Sequence, residues 1–180
     1  MYSSSIVASV AFAALLLAPM TASSAGADKI ITHAGTEYVV PAGSPVRKPT
    51  FGTGDDITAR FDGKFALSGI LHFEGFPDAP MVFLKPDANI AARLPRWKVT
   101  GRPSAIWFVN SSAVVSAALP ADTLADLKAH RISVANQHVV LDVDRYTVAI
   151  ECDTANYYVR FVSVHTPGVV AQNVEQEEGC

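Results

Sequence analysis

The sequence predicts a mainly β domain with one short helix, and three observations carry that prediction. From Ile132 to Val164 apolar and polar residues alternate with a period of two, interrupted only by polar turn signals. Asp62-Gly63 stands between two further alternating runs, a pair suited to the positive φ angles of a tight hairpin turn. Pro120–His130 carries the best set of helical start and stop signals.

The C-terminal third is the most regular stretch. Ile132 and Val134 share one face, and Asn136-Gln137 offers a turn. Val139, Leu141 and Val143 form the next stripe; Tyr146, Val148, Ile150 and Cys152 form another beyond an Asp142–Arg145 corner. Side chains two apart point the same way in a strand, so each set is one buried stripe. Asp153–Asn156 is read as a further turn before Tyr157–Val164. That last run is apolar on both faces, which predicts a central strand or a bulge near Arg160.

The start of the chain reads as a processing segment. Ile6 to Ala18 is a short uncharged apolar run, ended by Pro19, and Ala25-Gly26-Ala27 supplies the small residues of a cleavage site. Residues 1–27 are therefore assigned to a signal peptide, although MYSSS lacks the usual basic residue. The expected location is the periplasm or the cell exterior, with no transmembrane span once the leader is removed. Residues 28–56 form a strand-and-loop arm: a hairpin over Asp28–Val40 turning at Ala34-Gly35, then an unpatterned Pro- and Gly-rich loop to Asp56.

Residues 57–165 are the barrel-like domain. Ile57–Phe61 and Lys64–Phe73 are paired across Asp62-Gly63, and Gly69 inside the second run marks a bend. Met81–Leu84 is a strand stopped at Pro86, and Asp87 caps a turn or two of helix carrying Ile90 and Leu94 before Pro95. Ala105–Val109 is a strand with Trp107 and Phe108 on opposite faces, Asn110-Ser111-Ser112 turns, and Ala113–Leu119 returns as a strand. The helix follows, with Pro120 and Asp122 early, Lys128, His130 and Arg131 late, and Leu124 and Leu127 as its apolar stripe. Residues 166–180 are a polar, acidic tail held by its final cysteine. Cys152 and Cys180 are expected to form one disulfide, closing a loop of about 28 residues for roughly 3–4 kcal/mol. An intermolecular bridge or two free thiols are the alternatives.

A bent strand, two more strands, a helix and then further strands is the element order of a five-stranded Greek-key barrel. The architecture expected is thus OB-like, the oligonucleotide/oligosaccharide-binding type, with extra N-terminal strands. An α+β antiparallel sheet sandwich is the alternative.

Seventeen acidic and fourteen basic residues give a net charge of −3, which excludes a broadly basic nucleic-acid binder. No cofactor, metal or nucleic-acid partner is expected, and no catalytic motif of known spacing occurs. His72 and Glu74 share one strand face but lack a third ligand at a regular spacing. Asp142 and Asp144 read as corner residues in preference to a catalytic pair. One cluster stands out: Arg93 to Arg102 holds Arg93, Arg96, Lys98 and Arg102 with Trp97 and no acid. Positive charge beside an aromatic suits an anionic polymer or an envelope protein. The sequence therefore predicts an exported, non-enzymatic binding protein with Arg93, Arg96, Trp97, Lys98 and Arg102 as its ligand residues. The alternatives are an inhibitor or immunity protein of an envelope hydrolase, or a hydrolase built on His72 and Glu74.

Overall fold

The computed structural model describes residues 26–46, 48–52, 57–75, 80–166 and 170–173, and these segments are arranged about one strand. Strand β9 (Val134–Glu151) is 18 residues long. Ala135, Gln137, Val139, Leu141 and Val143 face inward; the phase then slips by one, and Tyr146 and Val148 face inward. The slip falls at Asp144-Arg145, where Arg145 has a φ of 54°. An extra residue in the ladder does this, bending the strand without ending it. The predicted Asp142–Arg145 corner is thus a bulge, and Asn136-Gln137 is no turn: both residues lie in the ladder.

Each edge of β9 is covered by a strand broken in two. On one edge lie β4 (Thr58–Phe61) and β5 (Phe65–Glu74), both antiparallel to β9. On the other lie β10 (Thr154–Thr166) and β11 (Val170–Asn173), also antiparallel. Asp62-Gly63 therefore does not make the predicted hairpin. β4 and β5 run the same way along β9, and Gly63, at a φ of 131°, lets the chain step past the bulge. The turn signal is local, whereas β9 offers both runs a partner whose alternation matches theirs. The tail likewise gains a strand, β11, through backbone pairing with Val134–Gln137.

The remaining strands make the sheet ring-like. β5 pairs with β6 (Met81–Pro86), β6 with β8 (Ile106–Phe108), β8 runs parallel to β10, and β10 returns to β9. Leu67, Leu71, Phe73, Leu84, Ile106 and Leu141 fill the inside at zero exposure. The β9–β10 hairpin turns on Cys152-Asp153, both at positive φ (48° and 60°), earlier than the predicted Asp153–Asn156 turn. The expected irregularity near Arg160 is present as register shifts on either side of it.

Three helices occur among the described residues: α1 (Ala88–Ala91), the short turn expected after Asp87; α2 (Ser111–Ala118), which was not expected; and α3 (Ala121–Lys128), the predicted helix. The run predicted as a strand over Ala113–Leu119 is α2. Alanine is the best helix former, and Val114 and Leu119 both reach the core when the segment winds. Leu127 of α3 is buried in the same core, and the Gly75 N–H bonds Ser133 O just ahead of β9, which seats α3 by that strand's start.

The N-terminal hairpin is as expected, with β1 (Lys29–His33) and β2 (Thr36–Val40) turning at Ala34-Gly35. It forms a separate three-stranded sheet with β7 (Arg96–Trp97). Among its described residues, the loop after it carries one short strand, β3 (Pro49–Phe51), on β4. Tyr146, wholly buried, donates its hydroxyl to Pro95 O at 2.7 Å and ties β9 to the segment leading into β7.

Asp144 at the β9 bulge meets Arg160 beside the β10 bulge. Arg160 donates through Nε at 2.7 Å and through Nη2 to the second carboxylate oxygen. Those hydrogen bonds, above all, hold the Asp144 carboxyl below the ordinary aspartate range. A carboxyl depressed in the folded state stabilises the fold above its unfolded pKa, about 3.9, and loses that contribution as pH falls through its folded value. Arg160→Ala is thus expected to lower the Tm by a few degrees at pH 7 and by much less at pH 2. Thermal melts at the two pH values check this. An equal deficit at both would assign the loss to packing.

Candidate functional site

The basic loop is built into the N-terminal sheet. Arg96 and Trp97 are β7, paired with Val39 and Tyr38. Lys98 meets Glu37 at 2.8 Å, Arg96 approaches Asp28 at 4.0 Å, and Arg93 Nε donates to Gly43 O at 3.0 Å. Trp97 is half-buried against the core, and Arg102 is exposed. The structure thus brings Arg96, Trp97 and Lys98 together, and it sets carboxylates against Arg96 and Lys98 and a backbone carbonyl against Arg93 from within the chain. Their visible work is to fasten β1 and β2 to the ring.

A different set of side chains assembles on the outer face of the ring. Alternation turns Ser68, Ile70, His72 and Glu74 outward on β5, and Met81, Phe83 and Lys85 outward on β6. The pairing then sets one residue from each of five strands in a row: Asn136 opposite His72, His72 opposite Phe83, Phe83 opposite Trp107, and Trp107 beside Tyr158. Three of these rings touch in sequence. His72 and Phe83 lie 4.6 Å apart between centroids, Phe83 and Trp107 5.1 Å, both tilted. All five residues are half-buried. Lys85 places its ammonium 5.7 Å from the Phe83 centroid, and the His72 Nδ1 lies 2.8 Å from Asn136 Oδ1.

Polar groups border this row. Asp87 is the N-cap residue of α1, yet its side chain does not cap the helix. It turns to the sheet, where it accepts from the Ser68 hydroxyl and lies 3.2 Å from His138 Nε2. Farther along, Ser163 donates to Asp142 Oδ2 at 3.0 Å, with His165 Nδ1 3.8 Å from the same oxygen. In both clusters the carboxylate, not the imidazole, holds the serine. An activated serine needs the reverse order, with the base receiving the hydroxyl proton.

His72 and Glu74 do share the outer face, as expected, but His72 is engaged by Asn136 and Phe83. Among the described residues no three His, Cys, Asp or Glu side chains gather into a metal-sized group. Cys152 is exposed at the β9–β10 turn; its expected partner, Cys180, and residues 1–25 of the expected leader lie outside the described residues.

Sequence reasoning missed Phe83, Trp107, Asn136 and Tyr158 as a set. One signal was legible: Trp107 and Phe108 on opposite faces meant that one large ring had to point out of the core. No family model matches this chain, and neither a curated protein nor a solved structure matches it.

Proposed function

We propose that this chain is an exported, non-enzymatic binding protein whose ring is an OB-like Greek-key barrel that holds its ligand across the outer face of β5, β6 and β8. Export rests on the leader-like residues 1–27. The barrel reading is supported by the order around the ring: β5, β6, β8, β10, β9 and back to β5. In chain order these are the first, second, third, fifth and fourth ring strands, with the third and fifth parallel and helices between the third and fourth. In barrels of that type ligands lie on the face of the second and third strands. Here those strands carry Phe83 and Trp107.

The contact row of His72, Phe83 and Trp107 is the observation that carries the reading. Large rings left half-exposed in mutual contact on a sheet face are a recognition feature, since burial would otherwise stabilise the fold more. The basic loop supports binding less well because Arg96 and Lys98 already face Asp28 and Glu37.

Capture from envelope extract separates the two places. A Phe83→Ala/Trp107→Ala variant is expected to lose capture while keeping its circular dichroism spectrum. A variant with Arg93, Arg96 and Lys98 changed to Ala is expected to retain it. The opposite pattern would return the site to the loop, and equal capture by all three proteins would count against both. Capture of a single envelope hydrolase would favour the inhibitor alternative.

A further inference from the structure

Resting on the binding-face reading, we propose that the ligand of this face is a neutral oligosaccharide. Three adjacent rows of side chains complement such a ligand chemically. The central row supplies rings, whose faces stack on the apolar faces of sugar rings. His72, Phe83 and Trp107 touch in sequence, at 4.6 and 5.1 Å between centroids, so the stacking surface is long enough for about two adjoining sugar rings.

The flanking groups fix the class. On one side of the aromatic row lies Glu74, paired with Met81 and Val134; on the other lie Lys85, Ile70 and His138, with Asp87 against His138. One cation, Lys85, thus faces two carboxylates, Glu74 and Asp87. A phosphate or sulfate chain only accepts hydrogen bonds and needs cations to replace its counterions. It would meet more negative than positive charge here. A sugar hydroxyl both donates and accepts, so it can donate to a carboxylate and accept from the ammonium with no net charge of its own.

The β5–β9 end of the row is equally two-sided. With Asn136 Oδ1 accepting from His72 Nδ1–H, His72 keeps Nε2 as an acceptor while the Asn136 amide keeps its donors. An acceptor and an amide donor therefore sit side by side at the β5–β9 end of the ring contacts. A peptide strand is a poorer fit, because the residues of this face belong to β5, β6 and β8, inner members of the ring already paired on both edges.

Calorimetric titration of the full chain with a panel of neutral hexasaccharides (glucose, mannose and N-acetylglucosamine hexamers) tests this. The anionic comparisons are single-stranded dT12 and polyphosphate. At least one neutral hexamer is expected to bind, with affinity changing less than twofold between 50 and 500 mM salt. Trp107→Ala is expected to weaken that binding about tenfold or more, as loss of a central aromatic anchor does. Glu74→Gln serves as a second variant that leaves the rings in place; a several-fold loss from it ties a carboxylate to the ligand.

Binding of dT12 or polyphosphate alone, falling steeply with salt, would overturn the neutral-sugar inference and leave the binding face standing. So would failure of every glycan while envelope capture still depends on Phe83 and Trp107. Failure of every probe together with capture indifferent to those two residues would remove both readings.

Discussion

Gly69→Ala is expected to destabilise the protein by about 3 kcal/mol or more, lowering its Tm by about 10 °C. Gly69 is buried on the inward face of β5, opposite Pro86 at the end of β6. A methyl group there would lie 2.2 Å from Lys85 O and 2.8 Å from Pro86 Cα, with Leu84 Cδ2 also at 2.8 Å. Two of those atoms are backbone of the paired strand, so relief requires β6 to move as a body. Its movement would disturb the pairs of Leu71 with Leu84 and His72 with Phe83, the first in the core and the second in the outward aromatic row. Gly101→Ala is the matched control, since nothing lies within 4 Å of the added carbon and its change is expected within about 0.5 kcal/mol. Denaturation followed by circular dichroism measures both. A Gly69→Ala protein melting with the wild type would mean that the two strands do not approach as closely as described.

That glycine shows what kind of information the sequence held. A glycine inside a strongly alternating run has few explanations, and a bend or close approach is the commonest. The alternation of β5, β9 and β10 was legible for the same reason: the period follows from pleat geometry and needs no knowledge of partners. What the pattern could not supply was pairing. Asp62-Gly63 is a sound hairpin signal locally, yet β4 and β5 are joined in parallel along β9 because that longer strand could satisfy both. The β9 bulge likewise looked like a strand end, since a one-residue slip in alternation is identical in sequence to a turn between two strands. The Ala113–Leu119 segment failed differently. Its apolar content suits strand or helix, and only its placement against the core decides.

The same division holds for the candidate site. The basic loop was conspicuous because its residues are adjacent in sequence, and contiguity makes a charge cluster easy to see. Its partners Asp28, Glu37 and Gly43 lie far away in the chain, so the engagement of Arg96, Lys98 and Arg93 was invisible. The aromatic row is the converse case. His72, Phe83, Trp107, Asn136 and Tyr158 come from five separate strands, and only the sheet register aligns them. A face assembled across strands leaves almost no mark on any one of them, beyond a large ring at a position where alternation calls for a polar residue.

Asn110→Ala is expected to cost about 2–3 kcal/mol and lower the Tm by about 5–10 °C. The ring closes where β8 meets β10 through a parallel contact of only two residue pairs, Trp107 with Tyr158 and Phe108 with Val159. Beyond it the Val109 N–H still reaches Val159 O at 3.0 Å, but β10 then shifts register around Arg160 and the ladder stops. Asn110 takes over at that point. Although it is the N-cap residue of α2, its side chain makes no capping bond. Its Nδ2 donates to Phe161 O at 3.0 Å, and its Oδ1 accepts from the Phe161 N–H at 2.9 Å. One amide side chain therefore presents β10 with the donor and acceptor that another strand residue would have offered. Alanine removes both and leaves a part-buried N–H and C=O unmet, and an orphaned group costs more than an average bond is worth. Asn110→Asp keeps the acceptor but sets a carboxylate oxygen against the Phe161 carbonyl, so it is expected to recover less than half of the loss. Amide hydrogen exchange is the discriminating measurement: protection should fall first at Phe161 and Val109, and then across the seam that holds Trp107 beside Tyr158. An Asn110→Ala protein with unchanged protection at Phe161 would show that the ring closes without the amide clamp.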